Sequence, residues 1–387
     1  MNFFWTSFFL VGMTGAAFAG YRLRPREKVS YKTALPRDYL LGLNFLLNEE
    51  TDKAVDVFIK MLEVDSGIVE THLAVGKLFR RRGEVDRAIR IHQNLIARPH
   101  LDKAYREQSL FELGQDYLSA GVLDRAERIF LELANTKGYA AKALHALLDI
   151  YQQEKAWENA IAMAVRYEEI SSEDKQSVIA HYQCELAEKS YAKKEYQKAE
   201  HYLQLALEAD RLCVRACLLQ AKVYIEQQDY KAALRSLKQV KKQNPDYLSE
   251  AIELLAFCYE KLDAPEKLVA YLRKLLDDYP HVPVVLILAE RIRQWKGDKV
   301  AANFVADYVR RYPSLRGLSL FVNLYISNAE GRAKEDLLIL QNMMKKLLHH
   351  KPDYQCASCG FAGKSLHWQC PGCKQWSAMK PVYSMEV

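Results

Sequence analysis

The strongest constraint on this chain is a period. GLNFLLNEETDKAVDVF (42–58), GKLFRRRGEVDRAIRIH (76–92) and GQDYLSAGVLDRAERIF (114–130) each place a small residue first, an aromatic three later and an alanine nine after that, with an aromatic ring usual four further on. The template returns in LDIYQQEKAWENAIAMA, AKVYIEQQDYKAALRSL, AFCYEKLDAPEKLVAYL and AERIRQWKGDKVAANFV. Its first position holds Gly42, Gly76, Gly114, Leu148, Ala187, Ala221, Ala256 and Ala289. Its alanine position holds Ala54, Ala88, Ala126, Ala160, Ala199, Ala233, Leu268 and Ala301, at intervals of 33 to 39 residues. Self-similarity at that period means a stack of helix pairs, because no single unit can bury its apolar face alone.

The residue types explain how such pairs close. Small residues on the first helix and alanine on the second let two antiparallel backbones approach, while Phe45, Phe79, Tyr117, Tyr151, Tyr224 and Tyr259 fill the space between pairs. Pro245, Pro280 and Pro313 stand where a second helix must stop. This pattern resembles the tetratricopeptide family over residues 35–313, in about eight units. The fifth unit departs from it with Ser190 beside Tyr191 at the aromatic position, and the eighth has Ile292. Segments 315–328 and 334–350 read as a ninth helix pair capping the array within 314–350. The expected fold class is all-α, a right-handed tetratricopeptide superhelical solenoid whose first helices line a groove suited to a peptide or partner helix. Most of the 23 tyrosines are expected in the repeat core. Arg80, Arg81 and Arg82 read as a solvated helix end.

Residues 1–20 carry no charged side chain and are apolar from Phe3 onward. A helix of 18 residues is about 27 Å long, enough for a thin bilayer core. Ala17-Phe18-Ala19 offers a signal-peptidase alternative. The positive charges, however, follow the apolar run instead of preceding it, which favours an uncleaved transmembrane helix with a cytoplasmic body. Gly12, Ala16 and Gly20 give one face of that helix the small-residue spacing that permits pairing with another membrane helix. A basic juxtamembrane linker, 21–34, then spans at most about 50 Å. Of the formal charge of +6, Arg22, Arg24, Arg26, Lys28, Lys32 and Arg37 against Glu27 account for +5, leaving +1 from Asp38 onward. A body so nearly neutral lacks the basic stripe of a nucleic-acid reader.

The chain closes on CASCGFAGKSLHWQCPGCKQW (356–376), where Cys356, Cys359, Cys370 and Cys373 form two Cys-x-x-Cys pairs. Two such turns facing each other place four thiolates at the corners of a tetrahedron. Two disulfides are the alternative, disfavoured in a reducing cytoplasm. Gly360 is expected to serve the turn of the first knuckle and Gly372 that of the second. The gap of ten between pairs is shorter than in a zinc ribbon. The segments CASCGF and CPGCKQW resemble rubredoxin knuckles, so residues 354–380 are expected to form a rubredoxin-like domain holding one zinc or iron ion. With four protein ligands the site has no open position, and zinc there would be structural. Trp368 and Trp376 are expected to cover the site or dock it on the last helices, and the metal tail is expected to fold back onto the solenoid's last helices or its groove. His349, His350 and His367 are expected at the surface or behind the ligands. Cys184, Cys213, Cys217 and Cys258 fall inside the repeats and read as small hydrophobes, although Cys213 and Cys217 lie one turn apart.

One membrane helix, a tetratricopeptide array and a rubredoxin-like tail, in that order along the whole chain, are similar to the lipopolysaccharide assembly protein B family. The resemblance implies a non-enzymatic adaptor in the bacterial inner membrane, its body in the cytoplasm. It further implies that the protein works with the membrane protease FtsH to promote turnover of the deacetylase LpxC and so limits lipopolysaccharide synthesis. The residues themselves offer no nucleophile triad, phosphate-binding glycine loop or HExxH metalloprotease motif. Other inner-membrane proteins could be met through the membrane helix. Two alternatives stay open: an iron electron carrier and a generic scaffold for envelope assembly.

Overall fold

The computed structural model describes residues 69–382 apart from 327, 328 and 350, together with scattered positions between 40 and 57. The expected membrane span (1–20) and linker (21–34) lie outside the described residues. No helix among those described is long and apolar enough to cross a membrane. The chain divides into two compact units, residues 1–122 and 123–387.

In the first unit, α1 (Val69–Arg81), α2 (Val85–Ile96) and α3 (Lys103–Ser119) follow one another. Gly76 on α1 is a point of closest approach, since a Cβ there would stand 2.4 Å from Nε2 of His92 on α2. His92 is fully buried, with its Nδ1 2.5 Å from Oδ2 of Asp116 on α3. Arg80 donates to Asp116 and to Glu112, each at 2.7 Å. Burial alone would raise the Glu112 carboxyl, but Lys77 and Arg80 outweigh it and hold the group below its ordinary range. The expectation of a solvated arginine run is therefore corrected for Arg80, which is half-buried and tied to α3 by two carboxylates; Arg81 and Arg82 are exposed. Gly76→Ala should force the imidazole off Asp116 and cost about 1–3 kcal/mol through overpacking. Hydrogen exchange of α1 and α2 measures it, and unaltered protection would show that the ring can yield.

In the second unit, α4 (Leu123–Leu133) is followed by helix pairs: α5 (Ala140–Glu154) with α6 (Trp157–Ser171), α7 (Gln176–Ala192) with α8 (Tyr196–Ala209), and α9 (Val214–Glu226) with α10 (Tyr230–Gln243). After a 3-10 turn, Pro245–Tyr247, come α11 (Leu248–Lys261) with α12 (Pro265–Asp278), α13 (Val282–Lys296) with α14 (Asp298–Arg311), and α15 (Leu315–Ile326) with α16 (Gly331–His349). The repeat arithmetic becomes packing directly. Every residue at the alanine position, from Ala54 to Ala301 and including Leu268, has 0% exposure. Tyr151 and Tyr224 bury their rings wholly or in part and reach back 24 residues, donating to Glu127 and Glu200 at 2.6 and 2.7 Å.

The turn inside each pair from α1 to α12 is equally regular. A left-handed residue lies five positions before the alanine site: Gly83, Gly121, Lys155, Lys194, Gln228 and Asp263. The amide that follows closes a six-residue hydrogen bond onto the carbonyl at the aromatic position, as from Glu84 to Phe79, Ala156 to Tyr151 and Asp229 to Tyr224, all at 2.9 Å. This is the Schellman stop, which satisfies the orphan carbonyls of the first helix. Ser190 keeps that role, accepting from Glu195 at 3.0 Å, because the bond uses only its backbone.

A small sheet follows α16, with β1 (Tyr354–Cys356), β2 (Ala362–Gly363) and β3 (Met379–Pro381) in the antiparallel order β2-β1-β3. The architecture is thus a tetratricopeptide-type array of helices ending in a small sheet and metal knuckle.

Candidate metal centre and its docking surface

The two Cys-x-x-Cys turns are built alike. Gly360 donates to the carbonyl of Cys356 at 3.0 Å and Lys374 to that of Cys370 at 2.9 Å. Cys356 in turn donates to Phe361 at 2.7 Å, and Cys370 to Gln375 at 2.9 Å. Each turn needs a left-handed residue just after its second cysteine. In the first it is Gly360 (φ 76°), but in the second it is Lys374 (φ 59°) and not Gly372 as expected. Gly372 answers a different need: a Cβ there would come within 3.3 Å of the Cys359 sulfur, so the second knuckle must present bare backbone to the first.

The four sulfurs all lie within 4.8 Å of one another. Cys356 and Cys373 are 3.7 Å apart, and Cys359 and Cys370 3.6 Å. A tetrahedron with metal–sulfur arms of about 2.3 Å has edges of about 3.8 Å. The spacing and the all-sulfur donor set therefore fit one zinc or iron ion. Backbone N–H groups of Cys359 and Ser358 point at the Cys356 sulfur and pull its thiol down to about 6. At Cys359 the Phe361 amide acts in the same direction, but burial and the neighbouring sulfurs outweigh it and hold that thiol up to about 11. Four thiols so close cannot all ionise without a cation, so loading the site must release protons. Among the described residues no histidine joins the cluster. His367 lies beside Ser365 instead, at 3.1 Å.

The tail docks, and of the two expected places, the last helices and the groove, it takes chiefly the second. It crosses the first helices of the earlier pairs. Trp376 donates to Oε1 of Gln152 on α5 at 3.1 Å, and Gln369 reaches the same oxygen at 3.0 Å. The Trp376 ring stacks on His181 of α7 (4.9 Å, 20°) and meets Trp157 and Tyr182 edge-on. Arg215 of α9, only 3% exposed and held by Glu185 and Glu188, lies 5.8 Å from the Trp376 ring. Trp368 packs 5.4 Å from Tyr247, whose hydroxyl donates to the Met379 carbonyl at 2.7 Å. Tyr354 donates to Glu250 of α11, and Lys380 to Asp246. On α15, Arg316 pairs with Asp353 and also reaches the Val382 carbonyl at 3.5 Å.

Sequence reading named the groove as one of two docking places but not the residues that form the dock, although a signal for them was present. His181, Arg215 and Glu250 each stand six residues before the small position of their repeat, at Ala187, Ala221 and Ala256. One register position on three successive first helices thus carries polar groups that all meet the tail. The remaining cysteines also pair differently from their sequence spacing. Buried Cys184 on α7 and Cys213, the residue that precedes α9, are 3.9 Å apart, while the Cys217 thiol is pushed up to about 11 by burial.

His181 gives the docking a pH dependence. Burial, then the Arg215 charge, lowers its pKa from 6.5 to about 3, and its Nε2 lies 2.6 Å from the Ser377 hydroxyl. The undocked form therefore binds more protons between these values. Docking should hold its full strength above about pH 6.5 and weaken as pH falls, roughly tenfold per unit. Proteolytic protection of the tail from pH 7 to 5, at constant metal content, should fall in the wild type and stay flat in His181→Gln. Equal slopes would assign the effect elsewhere.

Comparison with known proteins agrees with this geometry. A rubredoxin metal binding domain model matches residues 354–381, and tetratricopeptide repeat models match 71–104 and 190–256. Lipopolysaccharide assembly protein B of Escherichia coli (strain K12) is 36% identical over 382 residues, covering 98% of each chain. The protein of that name from Haemophilus influenzae is 34% identical over 378 residues, covering 95% of each. Among solved structures, Naa15/Naa10 bound to HypK-THB aligns with a TM-score of 0.44 at 15% identity, covering 80% of this chain and 46% of that one. Identity of this level over nearly the full length, together with a four-sulfur tail on a tetratricopeptide array, places the chain in the lipopolysaccharide assembly protein B family.

Proposed function

We propose that this protein is a non-enzymatic adaptor that restrains lipopolysaccharide synthesis by delivering the deacetylase LpxC to the membrane protease FtsH. Cys356, Cys359, Cys370 and Cys373 are its metal ligands. Residues 1–20 anchor it in the inner membrane, 21–34 link that anchor to the body, 35–313 form about eight units of a right-handed superhelix capped by 314–350, and 354–380 form the metal domain on the cytoplasmic side. Family membership supports the pathway. The observation that carries the adaptor reading is the docked tail: a closed four-sulfur centre pinned across α5, α7, α9 and α11 is placed to hold a protein-binding surface in one shape and leaves no coordination position for substrate. Anchoring would raise the adaptor's effective concentration beside a membrane protease.

The test is the lifetime of LpxC in cells. Cys356→Ser and Cys370→Ser should each slow its degradation to the rate seen without the adaptor, while the protein itself stays in the membrane fraction. Normal LpxC turnover with either variant rejects the reading. A purified chain that is coloured and carries iron would instead support the electron carrier, and a colourless one with a single zinc eliminates it.

A further inference from the structure

The last helix of the array leaves an apolar stripe uncovered. Ile339, Leu340, Met343 and Leu347 of α16 are 59%, 39%, 58% and 56% exposed, and Met344 alone on this helix is buried. At 3.6 residues per turn the four fall within an arc of roughly 100°, about the width of a face built for a partner helix. A helical array normally ends in a polar outer surface, because its final face has no following repeat to cover it. This array ends in the opposite way.

The charges beside the stripe identify what covers it. Arg332, Glu335 and Asp336 stand near the stripe's N-terminal end, which they leave net acidic by one, and Lys346 stands near the C-terminal end, all exposed. Glu335 and Lys346 lie on the same flank of the stripe, eleven residues or about three turns apart. When two helices pair antiparallel, residues on one flank meet the same flank of the partner. A two-fold axis beside Leu340 and Gln341 sets Glu335 of one copy within about a turn of Lys346 of the other, twice over, while Leu340 and Met343 interdigitate between. The surface is complementary to itself, which is what an isologous interface requires. We propose that two copies of this chain associate through an antiparallel pairing of α16, centred on Leu340 and Met343.

The experiment uses the full chain in its native membrane, with a photo-crosslinking residue replacing Met343. An adduct of twice the chain mass is expected, and none from the same probe at Lys345, which lies off the stripe. Glu335→Lys and Lys346→Glu should each lower the adduct several-fold, and the two together should restore it. No adduct of that mass, or one indifferent to all three charge changes, overturns the proposal. So does capture of lipid or of another protein alone, with Lys346→Glu weakening it and Glu335→Lys strengthening it, since that pattern marks an acidic surface and not a second copy.

Discussion

Stripping the metal from the purified chain will unfold residues 354–381 while leaving the helical array folded. The tail is too short to offset its ordering entropy by burying Cys356, Cys370 and Met379. Binding of a structural ion to a site of this kind has an apparent free energy of about 10–16 kcal/mol, and in such small domains this is folding free energy. Hydrogen exchange should then show β1, β2 and β3 losing all protection on chelation, with the emission of Trp368 and Trp376 moving to that of exposed indole. Helix content should barely change, because α7 to α14 pack on one another through their own clusters. Protection that survived complete metal removal would mean that docking alone holds the tail together.

Trp376→Ala should produce the complementary result, a folded and metal-loaded tail that no longer docks. Trp376 touches His181, Trp157 and Tyr182, faces Arg215 and donates to Gln152, so it is the single side chain on which most of the surface converges. Central aromatic anchors of this kind cost about 2–4 kcal/mol when truncated. The loss leaves the buried Arg215 and His181 facing water where they had met an indole. Protease should then cut between α16 and β1 at least thirtyfold faster, at unchanged metal content. If the metal is lost as well, docking and coordination form one cooperative unit.

How much of this was legible beforehand follows from the range of each interaction. The helix pairs were readable because the small residue, the aromatic and the alanine are spaced by the geometry of one pair; Ala88, Ala160 and Leu268 reached zero exposure on that rule alone. The four cysteines were readable for the same reason, since each Cys-x-x-Cys turn is local. The role of Gly372 was misjudged because its demand comes from the Cys359 sulfur across the site and not from its own backbone angles. Arg80 was misread because its partners Glu112 and Asp116 lie in the next helix pair. The docking surface was the hardest to see, as Gln152 and Trp376 are 224 residues apart and no periodic rule joins them. Only the common repeat register of His181, Arg215 and Glu250 hinted at it.

That long-range contact changes how the second unit can come apart. A stack of repeats in which each touches only its neighbours can fray from an end, one pair at a time. Here the metal-binding tail is stitched back to α5, α7, α9 and α11, so the intervening pairs sit inside a closed circuit of contacts. Fraying of α13 to α16 must first break the clasp at Trp376 and Tyr247, and a single ion thereby governs the cooperativity of more than two hundred residues.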